Sequence, residues 1–333
     1  MTHSGSNDRI DSMASAIRAG DRRALARGIT LVESEKPEHR PDAQALVAKL
    51  APAAGESIRI GVSGVPGVGK STFIETLGNH IIEQGHRLAV LAVDPSSGLS
   101  GGSVLGDKTR METLSTNPRA FIRPSPAGAT LGGVTRRTRE AILLCEAAGM
   151  DVVMVETVGV GQSETTVSKM TDLFLLLLLP SGGDELQGMK RGIMEIADII
   201  LVNKADGELE AAAGRAAAEF ANAVRLLRPR IAGWTVSVET CSALTGKGIA
   251  EAWASVEQFR ERFTQNGGIG ERRAAQAREW LWSEIRDLLA SALLNSDEVK
   301  TRIGELEAAV VNGTLSATQA AQEIVDRFLG RVR

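Results

Sequence analysis

The stretch Gly61-Val62-Ser63-Gly64-Val65-Pro66-Gly67-Val68-Gly69-Lys70-Ser71-Thr72 decides the reading of this chain. Within it, Gly64-x-x-x-x-Gly69-Lys70-Ser71 has the spacing of a phosphate-binding P-loop. The preceding run Ser57-Ile58-Arg59-Ile60-Gly61-Val62 reads as a buried strand, and the residues from Ser71 to Leu77 place their apolar members at helical spacing. A strand, a glycine loop and a helix in that order are the context this motif needs. The loop from Gly64 through Val65, Pro66, Gly67, Val68 and Gly69 can turn tightly enough to aim backbone N–H groups at phosphate oxygens. The helix opened by Lys70, Ser71 and Thr72 adds the positive end of its dipole. Lys70 is then expected at the β- and γ-phosphates, and the Ser71 hydroxyl at a magnesium ion.

Composition narrows the class. The chain has 333 residues, enough for one large domain or two to three smaller units with a sizeable core. A net charge of −3 with 24% charged residues excludes a global basic field aimed at nucleic acid or an anionic membrane. The two cysteines, Cys145 and Cys241, stand far apart and make neither a disulfide nor a metal-ligand pattern, which suits a reduced, cytoplasmic protein. The polar start carries no secretory segment, and the apolar run Leu173 to Leu179 is far too short to span a bilayer.

The expected fold is α/β: a P-loop NTPase core with a mainly parallel sheet, flanked by helical extensions at both ends. Residues 1–55 read as a helical extension. Ile10, Met13, Ala14 and Ile17 form one stripe ending at Gly20, Asp21 caps a second helix through Leu25, Ile29 and Val32, and a third runs from about Asp42 to Leu50. Residues 56–263 form the nucleotide domain, in which short apolar runs alternate with helical patterns. Its expected strands are Ile58–Val62, Leu88–Val93, Ala120–Ile122, Val152–Val155, Leu173–Leu179, Ile199–Val202 and Thr235–Val238. Asn266-Gly267-Gly268-Ile269-Gly270 reads as a hinge before a helical arm at 264–333. There Ala277, Leu281, Ile285, Leu288 and Ala292 form an apolar stripe, and Ser296 and Ser316 are expected N-caps, the second in register with Gln319.

Several motifs carry chemistry. Asn203-Lys204-Ala205-Asp206, after the strand Ile199–Val202, matches a guanine-reading Asn-Lys-x-Asp. The Asp206 carboxylate can accept from both the N1–H and the 2-amino group of guanine. Adenine offers no such donor pair, so a desolvated Asp206 rejects it. Ser242-Ala243-Leu244 has the look of a loop whose backbone supports the base. Glu156 ends the strand Val152–Val155 and supplies a carboxylate for the magnesium shell, with the Gly159 N–H placed to sense the γ-phosphate. Asp94, at the end of a parallel strand, and Asp107 are further expected magnesium ligands. Arg110 is a candidate for stabilising charge on the transferred phosphoryl group. The glycine-rich loop at 180–192 is placed to respond to the nucleotide.

Together, Asp94-Pro95-Ser96-Ser97, Gly106-Asp107-Lys108-Thr109-Arg110-Met111, Glu156-Thr157-Val158-Gly159-Val160-Gly161-Gln162-Ser163-Glu164 and Gly183-Asp184-Glu185-Leu186-Gln187-Gly188 resemble the methylmalonyl-CoA mutase-associated GTPases of the MeaB/ArgK type. The likeness covers essentially the whole chain. It implies a magnesium-dependent GTPase, binding GTP and GDP, that chaperones adenosylcobalamin-dependent methylmalonyl-CoA mutase by gating cofactor loading and protecting or reactivating the enzyme. It also implies a homodimer joined partly through the C-terminal helices, and a switch loop containing Lys190. Two other readings are a kinase of a transport system and a GTP-dependent metallochaperone. No second-substrate motif supports the first, and the four scattered histidines form no cluster for the second.

Overall fold

The apolar runs that flank the glycine loop assemble around it. The computed structural model describes residues 2–93, 111–124, 131–157, 163–180, 191–227 and 230–331. Among these, seven strands form one sheet: β1 (Ile58–Gly64), β2 (Leu88–Val93), β3 (Ala120–Arg123), β4 (Val152–Thr157), β5 (Leu173–Leu178), β6 (Ile199–Val202) and β7 (Ser237–Thr240). Their order is β3-β2-β4-β1-β5-β6-β7, and every pairing is parallel. β1 lies in the middle. The chain lays β2, β3 and β4 on one side of it and then crosses to place β5, β6 and β7 on the other. That reversal opens a crevice at the carboxyl end of β1, where α/β folds bind their ligands.

Parallel strands need covered faces, and this sequence supplies both covers. Leu173, Leu175 and Leu177 of β5 enter one cluster with Phe73, Ile74 and Leu77, whereas Leu176 and Leu178 enter another with Phe220. The first cluster is closed by α4 (Lys70–Glu83) and α10 (Ile249–Gln265), the second by α9 (Glu210–Val224). Each fully buried leucine contributes about 2 kcal/mol. The remaining crossovers are α5 (Glu112–Thr116), α6 (Leu131–Ala147), α7 (Ser163–Ser168) and α8 (Arg191–Ile196).

The N-terminal helices are α1 (Thr2–Arg18), α2 (Arg22–Glu33) and α3 (Arg40–Leu50). Asp21 caps α2 as expected. Its carboxylate accepts from the Arg23 and Ala24 N–H groups at 2.7 and 3.0 Å, and these bonds, the Ala24 bond first, hold its pKa below the ordinary value. Ile10, Ala14, Ile17, Leu25, Ile29 and Val32 are all buried, in one cluster with Leu144 of α6 and Val153 and Val155 of β4.

Three expectations about boundaries need correction. β7 lies two residues later than Thr235–Val238, because its register is set by β6: Ile199 pairs with Ser237 and Val202 with Thr240. Trp234 is buried just before it, its indole N–H donating to the Asp198 carbonyl at 2.9 Å. The expected hinge is shorter, since only Asn266 and Gly267 interrupt the helices and α11 (Gly268–Asn295) already includes Gly268, Ile269 and Gly270. Ser296 precedes α12 (Asp297–Val311), but its side chain makes no capping bond. By contrast, Ser316 and Gln319 form the full capping box that opens α13 (Ala317–Phe328).

The chain divides into two compact units, residues 1–272 and 273–333. In the second, Val299, Leu306 and Ala320 are buried, and Arg302 of α12 bridges Glu323 of α13 at 3.2 Å.

Candidate nucleotide site

The P-loop is shaped by two glycines. A Cβ on Gly64 would stand 2.6 Å from the Leu177 carbonyl of β5, so the tight strand pairing there leaves no room for a side chain. Gly69 sits at φ +91°, a conformation that L side chains rarely adopt, and from it α4 starts directly. Val65 and Val68 face inward, Val68 completely, while Pro66 and Gly67 stay exposed at the tip. Lys70 folds back over the loop and donates to the Gly64 carbonyl at 2.7 Å. Ser71 and Thr72 complete the first turn of α4.

Burial pushes the Lys70 ammonium below its usual pKa, and the carboxylates of Glu156 and Glu164 oppose that shift. Glu156 pairs in register with Val62 of β1 and is buried, so its carboxylate belongs to the strand end next to the loop. Beside it the Thr157 hydroxyl bonds Ser63 at 2.8 Å, tying β4 to β1 where the crevice opens. Glu164 is also buried, in the first turn of α7. It is part of the Gln162-Ser163-Glu164 segment, but nothing in the sequence spacing marks it as a neighbour of Lys70. Only the fold brings it there.

The opposite side of the crevice is built on Asn203, which is 1% exposed at the end of β6. Its Nδ2 donates to the Val68 carbonyl of the P-loop at 2.8 Å. Its Oδ1 accepts from the Ala243 N–H at 3.0 Å and lies 3.6 Å from the Cys241 Sγ. Burial, reinforced by the Glu239 charge, pushes the Cys241 thiol up to about 12, so it keeps its proton and acts as the donor. The Ser242 hydroxyl donates to the Asp206 carboxylate, and the Ala205 N–H to the Cys241 carbonyl at 3.0 Å. Lys204 takes a left-handed conformation at φ +60° and is exposed, as is Leu244. A non-glycine residue held at positive φ is a common mark of a working site.

The structure thus brings together Gly64 to Thr72, Glu156, Asn203, Lys204, Asp206 and Ser242 to Leu244. Asp94, Asp107, Arg110, Gly159, Gln162 and Lys190 lie outside the described residues, as does most of the loop at 180–192. Reasoning from motifs missed Glu164, the Ser63–Thr157 bond and the contact of Cys241 with Asn203. The Cys-Ser-Ala order was visible, but not the direction of the thiol.

A P-loop after the central strand, with Asn-Lys-x-Asp after β6, defines a P-loop nucleoside triphosphatase of the GTP-binding class. Residues 25–298 match the family model described as methylmalonyl Co-A mutase-associated GTPase MeaB, and the chain belongs to this family of GTPases. It is similar to a Mycobacterium tuberculosis protein named a probable GTPase, 52% identical over 326 residues, which cover 98% of this chain and 97% of that one. The mitochondrial methylmalonic aciduria type A homolog of Mus musculus is 45% identical, with 97% of this chain and 80% of the relative covered. A crystal structure titled LAO/AO transport system kinase superposes with a TM-score of 0.76 at 37% identity, covering 95% of this chain and 96% of that one.

Proposed function

We propose that this GTPase is a magnesium-dependent chaperone of adenosylcobalamin-dependent methylmalonyl-CoA mutase, acting in the cytoplasm as a homodimer. The observation that carries the nucleotide reading is the Asn203 side chain, which bonds the P-loop at Val68 and the base loop at Ala243. One buried amide therefore sets the phosphate-binding and base-reading motifs against each other in a single crevice. The partner is supported by the family description and by the name of the mouse relative.

The donor set fits Mg2+. Ser71 in the first turn of α4 and Glu156 at the end of β4 offer hard oxygen atoms, and Mg2+ commonly takes one or two protein ligands together with substrate phosphates and water. Ser71 and Glu156 would hold it, with Asp94 and Asp107 completing or orienting the shell. The ion, when bound, offsets charge on the β- and γ-phosphate oxygens.

The chain's own residues supply the rest. Loop N–H groups and the α4 N-terminus cradle the phosphates, and Lys70 leaves the Gly64 carbonyl for the γ-phosphate. Arg110 and Lys190 add positive charge as hydrolysis to GDP and phosphate proceeds, and the Gly159 N–H senses the γ-phosphate. Asp206 reads the guanine edge, held by Ser242, while Lys204 and Leu244 flank the base. Residues 1–55 brace the nucleotide domain at 56–263, and the arm at 264–333 makes the dimer. The support for that arm is α11, which buries none of its residues although Leu281, Trp282, Leu288 and Leu289 are about half exposed or more.

Steady-state phosphate release, measured with and without stoichiometric mutase, tests this reading. The mutase should raise turnover, and Lys190→Ala should lower that stimulation while leaving GDP affinity nearly unchanged. Turnover that is indifferent to the mutase would overturn the chaperone role.

A further inference from the structure

The helix that binds the phosphates also reaches the base loop. On α4, one turn beyond Thr72, the Thr76 hydroxyl lies 2.7 Å from the Ala243 carbonyl and 3.0 Å from the carbonyl of Thr72. A hydroxyl has one proton to give, and the shorter contact is the one to Ala243, so that bond takes the larger share. Ala243 is 5% exposed, and its own N–H donates to Asn203 at 3.0 Å. The residue is therefore held from both sides, by Asn203 through its N–H and by Thr76 through its carbonyl.

The surrounding loop needs such holding. Leu244, Thr245, Gly246 and Lys247 are all exposed, and no apolar packing fixes them. Its shape comes from hydrogen bonds: the Ser242 N–H donates to the Lys247 carbonyl at 2.8 Å, the Gly246 N–H to the Ser242 carbonyl at 2.9 Å, and the Thr245 N–H to the Ser242 hydroxyl at 3.1 Å. These bonds are internal to the loop. They set its curl but not its distance from the phosphate side. Cys241 and Ala243 pack in one apolar cluster with Phe73 and Leu77 of the helix that begins with Lys70 and Ser71. Within that packing the hydrogen bonds of Asn203 and Thr76 fix the position of Ala243 against the phosphate side.

We propose that Thr76 is a positioning residue for guanine-nucleotide retention. Its hydroxyl transmits the place of the phosphate-binding helix to the loop supporting the base, so that both ends of the nucleotide are gripped in register. It touches neither base nor phosphate and acts through the Ala243 backbone. The inference rests on the base pocket proposed above, and the test separates the two.

Release of a fluorescent GDP analogue is followed for the native protein, Thr76→Val and Thr76→Ser. Valine keeps the branched shape and loses the hydroxyl, whereas serine keeps the hydroxyl. One lost hydrogen bond to a part-buried carbonyl predicts release about fivefold faster for Thr76→Val. Thr76→Ser should stay near the native rate. Competition by inorganic pyrophosphate, which occupies only the phosphate side, should be unchanged in both variants. If Thr76→Val releases GDP at the native rate, or weakens pyrophosphate as much as GDP, Thr76 is a structural helix residue and the proposal falls. If the native protein binds ADP as tightly as GDP, the base pocket itself is misread, and the proposal falls with it.

Discussion

β5 and α11 are both rich in large apolar residues, and they meet opposite fates. The six residues of β5 are at most 1% exposed, divided between clusters on the two faces of the sheet. The 28 residues of α11 include none that is buried, and Leu281, Trp282 and Leu289 are each more than half exposed. The strand is short and central, so neighbouring strands and crossover helices enclose it within one chain. A long helix presents its stripe over some 40 Å, at 1.5 Å per residue. An apolar pattern therefore reports that cover is needed, without saying who supplies it.

The largest expected effect lies on the strand. Leu177→Ala removes a wholly buried side chain beside Gly64 and should cost about 3–5 kcal/mol in urea unfolding. A loss below about 1 kcal/mol would mean that the core is not packed as described.

A polar group of the first unit should matter nearly as much, though for recognition instead of stability. Asp206→Asn replaces the paired acceptor by an amide and should move preference from guanine toward xanthine nucleotides by about a hundredfold. Competition binding with GDP and XDP reads this directly, and an unchanged preference would detach Asp206 from the base.

The buried thiol at Cys241 gives a smaller, pH-dependent effect. Its folded pKa is raised from 9.0 to about 12, so between those values the folded protein keeps a proton that the unfolded chain has lost. The stability this provides is whole below pH 9 and declines as pH rises, by up to about 1.4 kcal/mol per unit. Cys241→Ala should flatten that part of the alkaline slope in unfolding measured from pH 8 to pH 10.

The smallest effect on the fold belongs to α11. Leu288→Ala should change the unfolding free energy of its own unit, residues 273–333, by less than about 0.5 kcal/mol, because the side chain is 46% exposed. Its effect should appear in light scattering instead, as a weaker dimer. A large loss of stability with no change in association would show that α11 is covered by its own chain.

Much of the first unit was legible because its signals are local. A central parallel strand must be apolar on both faces, which makes Leu173–Leu178 a continuous run. A P-loop must have glycine where a neighbouring carbonyl approaches or φ is positive, as at Gly64 and Gly69. The Asp21 cap and the Ser316–Gln319 box were equally readable, since each is completed within three residues. The end of the sheet was less so. Thr235, Val236, Ser237 and Val238 all suit a strand, and only pairing with β6 chooses the register.

The sequence by itself determined the class of fold, the phosphate loop and the Asn-Lys-x-Asp motif, because each is a short pattern legible without its tertiary partners. Tertiary structure decided how those motifs are joined. Asn203 meets a P-loop carbonyl 135 residues away, and Thr76 meets Ala243 across 167 residues. Glu164 reaches the electrostatic field of Lys70 only after β4 has paired with β1. Neither Thr76 nor Glu164 stands out from the polar residues around it, and the motif that marks Asn203 does not name Val68 as its partner. Hydrogen bonds and charge interactions act over a few ångströms, so they select partners by distance in space, which the order of residues does not contain until the sheet has closed.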